Sequence, residues 1–520
     1  MGARGVARVV TLALAWALAC ATTATAADIG ANDDAGKFAP DAGASLYREM
    51  AAVGMRETVI TVRWLPSDPL GLADRPLLDL TVAAARTAGL RVVFAAYPFP
   101  PREVADGLAT PAAFGAWLAE LAGRYPEVRG FVVGNEPNQP AFWRPQFARA
   151  AQVSAASFGP FLAAGYDALK AVDPTLTLVG VGLSPRGNDR PFARSNVSTS
   201  PVRFLAALGA WYRASGRTRP LMDGLSFHPY PNSATDSLSR GYAWPNAGFV
   251  NLDRVKQALW DAFAGTPQPT TIDGLRLYLD EVGWQVDTVG LDGYEGDENV
   301  AVTSEDAQAR VYGELVRAAE CDADIAAVNL FGFRDDGLRT GFQAGLVRAD
   351  GATRPALAAV RDAIAAPGCV SPVRWRPLRS VLGAAQPVLR IGSRGVAVGV
   401  TAAEGAVARA CVLAGAHTLS SARRVLASAT AVDRCASGRV DANRRTTLRL
   451  RRVAGPQTVA VRLSAEANPA RSNTVVRFVR GCLTPNTCSG TIRTDVRSPT
   501  VPAGRAARRG GALPLGAVRR

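Results

Sequence analysis

The sequence predicts a (β/α)8 (TIM) barrel followed by a small C-terminal β-sandwich-like domain and a disordered basic tail. Three observations predict it. Strand-like and helix-like stretches alternate eight times between residues 27 and 366, a beat that argues for a closed parallel barrel. From Val370 helical spacing vanishes and short alternating segments replace it, as in an all-β domain. Polar residues cluster where the predicted barrel strands end, and C-terminal strand ends are where such a barrel builds its site. The structural alternative is a doubly wound open sheet. That fold would carry a glycine-rich nucleotide turn after its first strand, and Gly30-Ala31-Asn32-Asp33-Asp34 is not one.

The chain opens with a targeting signal. Arg4 and Arg8 precede the apolar run Val9 to Ala19, and Ala24-Thr25-Ala26 offers a small-residue cleavage site. Residues 1–26 therefore read as a secretory signal peptide, too short for a spanning helix, and the protein is expected to be secreted. Lipoprotein anchoring at Cys20 is the weaker reading, because Ala17-Leu18-Ala19 matches a lipoprotein box poorly. No other run approaches the ~18 apolar residues of a membrane helix.

The barrel is expected over residues 27–369. Ala27 to Ala31 is the first strand, and Ala42 to Val53 is helical through Leu46, Met50 and Val53. Thr58 to Val62 is the second strand and ends in Arg63-Trp64. Leu77 to Ala88 is a helix stopped by Gly89. Leu90 to Ala96 is the third strand, ending in Tyr97-Pro98. Thr110 caps a helix with Pro111 in its first turn, running to Arg124. Gly130 to Val133 is the fourth strand; it breaks at Gly134, and Asn135-Glu136-Pro137-Asn138 follows. The helix Phe158 to Val172 leads to the fifth strand, Leu176 to Gly182. The helix Pro201 to Ala214 leads to the sixth, Gly224 to Phe227, ending in His228-Pro229-Tyr230-Pro231. The helix Leu252 to Ala264 leads to the seventh, Leu275 to Leu279, ending in Asp280-Glu281-Val282-Gly283-Trp284. The helix Ser304 to Ala319 leads to the eighth, Ile325 to Leu330, and Pro355 to Ala365 closes the barrel.

Residues 370–490 carry the alternating segments Val396 to Val400, Thr446 to Leu450, Thr458 to Leu463 and Thr474 to Val479. Gly, Pro and Asn punctuate them, which suits a sandwich of roughly immunoglobulin-like size. Residues 491–520 are rich in Arg, Gly and Pro with few large apolar groups, so disorder is expected there.

The formal net charge of +15 is unevenly spread. Residues 371–520 hold 26 Arg, no Lys and 5 acids, a charge of +21 that leaves −6 on residues 1–370. The basic region is a candidate contact for a cell wall or another acidic polymer. The plainer reading is a solvated, Arg-biased surface, since the chain has only three Lys. No nucleic-acid partner and no membrane span are expected, and a monomer is. Signal removal leaves Cys321, Cys369, Cys411, Cys435, Cys482 and Cys488. An even number in an exported chain suggests disulfides, and sequence-near pairing would join Cys321 to Cys369, Cys411 to Cys435 and Cys482 to Cys488. The spacings match no zinc pattern, and neither a metal nor an organic cofactor is expected.

The chemistry rests on two carboxylates. Glu136 and Glu281 are the only Glu residues immediately beyond predicted barrel strands, the fourth and the seventh. Two carboxylates facing across a sugar can cleave a glycosidic bond, one protonated to donate to the leaving oxygen and the other ionised to attack the anomeric carbon. Asn135 can hold a substrate hydroxyl. His228 and Tyr230 end the neighbouring strand, and a Tyr hydroxyl donating to a carboxylate favours its charged form. Arg63 could do the same for Glu281. Trp284, Trp143, Trp64, Tyr97 and Trp244 fall in the predicted top loops, where flat rings stack on sugars. Asp33, Asp34 and Lys37 are further candidates without a motif behind them. Each residue has a bland counterpart: a turn carboxylate, a structural histidine, loop plugs, an ordinary ion-pair arginine. Asp280 should face the other side of its strand from Glu281 and reads as structural. The joint arrangement is the specific signal.

The order Gly134-Asn135-Glu136-Pro137, then His228-Pro229-Tyr230, then Glu281-Val282-Gly283-Trp284 resembles a clan A glycoside hydrolase, nearest to families 5 and 39. Phe342-Gln343-Ala344-Gly345-Leu346-Val347, Asp350-Gly351 and Arg354-Pro355-Ala356 resemble that clan's run from the last strand into the closing helix. The resemblance covers about residues 28–366. It implies Glu136 as acid/base, Glu281 as nucleophile, Asn135 and His228 as substrate ligands, Tyr230 as positioner of the nucleophile and Arg63 as its support. Trp284 and Trp143 complete the expected substrate contacts. Many clan members place a Trp at the eighth strand; here the candidates are Phe331 and Phe333. The expectation is a secreted retaining glycoside hydrolase of a β-linked oligo- or polysaccharide, with its carboxylates ~5–5.5 Å apart. The rival is a non-catalytic polysaccharide- or wall-binding protein on the same scaffold. A hydrolase of another class lacks support, because no Gly-x-Ser-x-Gly elbow, metal-spaced His pair or phosphate loop is present.

Overall fold

A computed structural model describes residues 26–366 without a break and 368–497 with short gaps, the longest at 378–388. The expected signal peptide (but for its last residue) and the tail beyond residue 497 lie outside the described residues. Eight parallel strands close into a barrel in chain order: β1 (Asp28–Asn32), β2 (Glu57–Trp64), β3 (Arg91–Pro98), β4 (Gly130–Val133), β5 (Thr177–Leu183), β6 (Gly224–Phe227), β7 (Arg276–Val282) and β8 (Ile325–Phe331), with β8 pairing back to β1. The longer helices between and after them are α1 (Ala44–Val53), α2 (Arg75–Thr87), α3 (Pro111–Arg124), α4 (Ser154–Val172), α5 (Pro201–Ala214), α6 (Leu252–Phe263), α7 (Glu305–Glu320) and α8 (Pro355–Ala365).

Local chemistry sets the boundaries. The Thr110 hydroxyl accepts from Ala113 N at 3.2 Å, and Pro111 opens α3, where its missing N–H costs nothing. Ser304 caps α7 in the same way through Ala307 N. Gly54 takes a φ of +98° where α1 ends, a conformation that suits glycine. No helix among the described residues is long and apolar enough to cross a membrane.

The barrel interior is layered. At the bottom, buried Glu57 accepts from Asn329 Nδ2 and from Arg91 Nη2, both at 2.8 Å. Above it Val59, Ala95, Val132 and Val179 form a small apolar tier with Val93 and Tyr278. The tier above these holds the polar residues of the site. Outward-facing side chains such as Ile60, Phe94, Phe131, Leu178 and Leu277 join the helices in one large core. This three-tier filling is what makes such a barrel solid rather than a pore.

Two antiparallel sheets follow. One has the order β9 (Leu389–Ile391), β10 (Val396–Val400), β13 (Thr446–Leu450). The other has the order β12 (Cys435–Val440), β11 (Ala406–Ala414), β14 (Gln457–Ala465), β15 (Ser472–Thr484), β16 (Thr487–Arg497). Val396, Val398 and Val400 of the first face Ala408, Ala410, Val459 and Val461 of the second in one core, the alternation a sandwich requires. The reading of this region as purely β needs correction. A helix, Leu419–Ala427, lies on the outer face of the larger sheet, with Ala422 and Leu426 against Cys411, Leu413 and Ala460. The last strand also continues to Arg497, past the point where order was expected to end. Cys321–Cys369 and Cys411–Cys435 are disulfides. Cys482 stands opposite Cys488 in register, and their side chains lie outside the described residues.

Candidate active site

The site forms where β4, β6 and β7 end. Leaving β4, Gly134 has a φ of +105°, and a Cβ there would lie 2.7 Å from the Phe158 ring and 2.8 Å from Val181 O. Glu136 itself has a φ of +40°, uncommon for a non-glycine residue and of a kind found at functional sites. Its N–H donates to Gly182 O at 2.7 Å. Gly182 has a φ of +68°, and a Cβ on it would come within 3.0 Å of Gly134 O and 3.4 Å of His228 Nε2. Two glycines on adjacent strands thus let the backbone bring Glu136 beside His228. Asn138, fully buried, ties the same turn to the β5 loop: its amide donates to Ser184 O and Thr199 O, and its oxygen accepts from Ser184 N.

His228 is the hub. Its Nδ1 lies 3.2 Å from Glu136 Oε1 and 3.5 Å from Glu281 Oε2. Those two oxygens are therefore at most 6.7 Å apart, the sum of the two distances. His228 Nε2 lies 3.5 Å from Asp280 Oδ1, which also accepts from the Ser226 hydroxyl. Burial alone would strip the imidazole of its proton, but Glu281, Asp280 and Glu136 outweigh it and hold the ring charged well above the ordinary histidine range. The Tyr230 hydroxyl donates to Glu281 Oε2 at 3.2 Å. Burial, with the Glu281 and Glu136 charges, keeps that hydroxyl protonated far into the alkaline range. The ring of Tyr230 is clasped edge-on by Phe331 at 6.0 Å and Phe342 at 5.6 Å.

Burial pushes the Glu281 carboxyl up to about 7; His228 opposes that, while Glu136 and Asp280 add to it and the Tyr230 hydroxyl lowers it. Glu281 therefore keeps its proton to near neutrality in the free protein. Among the described residues, buried Glu136 Oε2 has no hydrogen-bond partner, and no hydrogen bond engages the side chain of Asn135, which is only partly buried. Two facing carboxyls, one with a free oxygen and the other gripped by a tyrosine, can between them donate a proton and attack.

Asp280 needs correction. Pairing of β7 with β8 runs Leu279 to Val328 and then Val282 to Leu330, so β7 carries one extra residue at Asp280–Glu281. That bulge breaks the alternation of faces, and both acids reach the same imidazole. Arg63 also differs from expectation: it donates to the Tyr97 hydroxyl at 3.3 Å and lies over Phe99, and among the described residues it makes no ion pair with Glu281. Trp143 is 2 % exposed, packs edge-on against Phe158 and Phe161 and donates to Ser157 Oγ; it is core, with no face to offer a sugar. Trp284 is equally buried, donating to Asp236 O at 2.8 Å behind the Tyr230 loop. Trp64 is core as well, and Trp244 is partly exposed beside Arg203. Phe333 is core. Asp33 accepts from Phe333 N and Arg334 N, Asp34 from Thr61 N, and Lys37 donates to Thr61 O, so these three brace loops.

Sequence reasoning missed Ser226, Phe342 and Tyr242. Tyr242 donates its hydroxyl to Tyr230 O at 3.0 Å. It comes from a loop more than ten residues downstream of Tyr230, and no local pattern announces it.

No protein-family model matches the sequence, and no curated protein matches it. Among solved structures the chain is similar to a family 39 glycoside hydrolase from the gut symbiont Bacteroides cellulosilyticus WH2, at 14% identity over 82% of this chain and 81% of that one, with a TM-score of 0.44. It is similar to a monomeric beta-xylosidase from Caulobacter crescentus CB15, at 16% identity over 85% and 96%, TM-score 0.42. It is similar to a GH5_18 protein from Bifidobacterium longum subsp. infantis, at 16% identity over 67% and 81%, TM-score 0.45. These are distant likenesses to glycoside hydrolases of families 39 and 5, and the chemistry rests on this chain's own residues.

Proposed function

We propose that the protein is an exported retaining glycoside hydrolase acting on a β-linked oligo- or polysaccharide. The observation that carries the reading is the pair Glu136 and Glu281 on one imidazole nitrogen, with Glu136 Oε2 left unpartnered. The facing oxygens are at most 6.7 Å apart, which accords with the ~5–5.5 Å spacing of retaining enzymes.

In the first step a Glu281 oxygen bonds to the anomeric carbon while the bond to the leaving oxygen breaks. That oxygen takes the proton from Glu136. Tyr230 holds the attacking carboxylate in place, and Asn135 binds a sugar hydroxyl. In the second step Glu136 takes a proton from water, the water oxygen bonds to the anomeric carbon, and the ester to Glu281 breaks. Both carboxyls return to their starting states. Export accords with the two disulfides. The C-terminal sheets are a candidate accessory unit for a wall or other acidic polymer.

The test is turnover of chromogenic β-glycosides by wild type, Glu281→Gln and Glu136→Ala, with NMR of the first-formed product. Both variants should fall by at least ~1,000-fold, and the first-formed anomer should keep its configuration. An inverted product, or full activity in Glu281→Gln, would sink the reading.

A further inference from the structure

Arg186 is a cation beside the site that no carboxylate pairs with among the described residues. It sits in the loop after β5, between the strands that deliver Glu136 and His228. Its backbone is pinned from both sides. The Gln139 side-chain amide, three residues after Glu136, donates to Arg186 O. Asn246 Oδ1 accepts from Gly187 N at 2.9 Å, and Ala247 N donates to Pro185 O at 2.9 Å.

The side chain is held by the Tyr242 hydroxyl but has no counter-ion among the described residues. Arg186 Nη1 is buried and has no hydrogen-bond partner, and among the described residues no carboxylate pairs with the guanidinium. The other arginines here are engaged: Arg240 lies 3.7 Å from Asp236, and Arg63 is held by Tyr97 and Phe99. The guanidinium donates to the Tyr242 oxygen, which also feels the Glu136 charge, and its Nη1 is left over. A buried guanidinium nitrogen without an acceptor is costly, and a rigidly mounted one is organised for an incoming acceptor.

We propose that Arg186 binds a carboxylate of the substrate, so that the sugar taken by this site is a uronic acid. The inference rests on the glycosidase reading for its location and on the arginine for its chemistry. The planar fork of a guanidinium matches a carboxylate bidentately. A neutral hydroxymethyl group at the same carbon would leave the cation unmatched.

The experiment measures binding and turnover separately. Glu281→Gln is titrated calorimetrically with matched 4-nitrophenyl β-glycosides: glucuronide against glucoside, and galacturonide against galactoside. The same is done with Arg186→Ala and Arg186→Lys added. In at least one pair the uronide should bind at least ~10-fold tighter. Arg186→Ala should abolish that preference with little change for the neutral partner, and Arg186→Lys should retain part of it. Equal binding within both pairs, no binding by any member, tighter binding of a 6-sulfated glycoside than of the uronide, or a preference that survives Arg186→Ala overturns the proposal. Wild-type turnover of neutral members without a uronide preference sinks this inference and leaves the glycosidase reading standing. A uronide preference in binding with no turnover by wild type does the reverse.

Discussion

Tyr230 donates its hydroxyl to Glu281 Oε2 across 3.2 Å, from the strand end next to the one that carries the acid. The hydroxyl is the neutral donor on a carboxylate that burial drives toward protonation. Tyr230→Phe keeps the ring and its Phe331 and Phe342 neighbours while deleting that donor. We expect kcat to fall by ~10–100-fold with a small change in KM. Steady-state kinetics with an unchanged thermal midpoint checks it.

Glu281 predicts the acid limb of the pH profile. Its carboxyl is raised to about 7, so it is protonated below that pH and ionised above. Attack on the anomeric carbon needs the ionised form, so kcat/KM should decline as pH falls through about 7. The groups facing Glu281 are His228, Glu136, Asp280 and Tyr230, and removing the imidazole charge in His228→Asn should move that limb upward. A profile flat from pH 5 to 9 would contradict the assignment.

Gly182→Ala tests the backbone crossing. The new Cβ meets Gly134 O at 3.0 Å at a φ of +68°. We expect ~1–2 kcal/mol lost from stability. Activity should fall further than that loss explains, because Glu136 N donates to this residue's carbonyl. Urea denaturation and kcat measured on the same preparation separate the two effects.

Trp143→Ala distinguishes core from platform. A ring buried against Phe158 and Phe161 should cost ~3–5 kcal/mol when removed, and Trp143→Phe should cost less. If KM rises with stability intact, the ring faces substrate after all.

The elements with hard punctuation were legible in the sequence. Gly130–Val133, Pro201–Ala214, Gly224–Phe227 and Pro355–Ala365 appear with the boundaries the residues predict, because Pro opens a helix and Gly or Pro ends a strand for local reasons. The pairing of Glu136 with Glu281 was legible because strand order in a barrel follows chain order. The orientation of Asp280 was not, since an extra residue in one strand exists only relative to its neighbour. The fate of the indoles was not legible either: Trp143 and Trp244 have the same chemistry in sequence, and tertiary packing alone separates a buried ring from an exposed one. The helix at Leu419–Ala427 could have been read from the spacing of Leu419, Ala422 and Leu426, and the surrounding β-texture hid it.

The extra residue in β7 has an evolutionary and engineering consequence. Removing one position there would restore strict two-residue phasing and turn either Asp280 or Glu281 outward into the helical layer, among the apolar neighbours of Leu279 and Val282. Grafts of this constellation onto an idealised, regularly pleated barrel should therefore fail unless the irregularity travels with the side chains. Indels in β7 should be tolerated far less than indels in the adjoining loops.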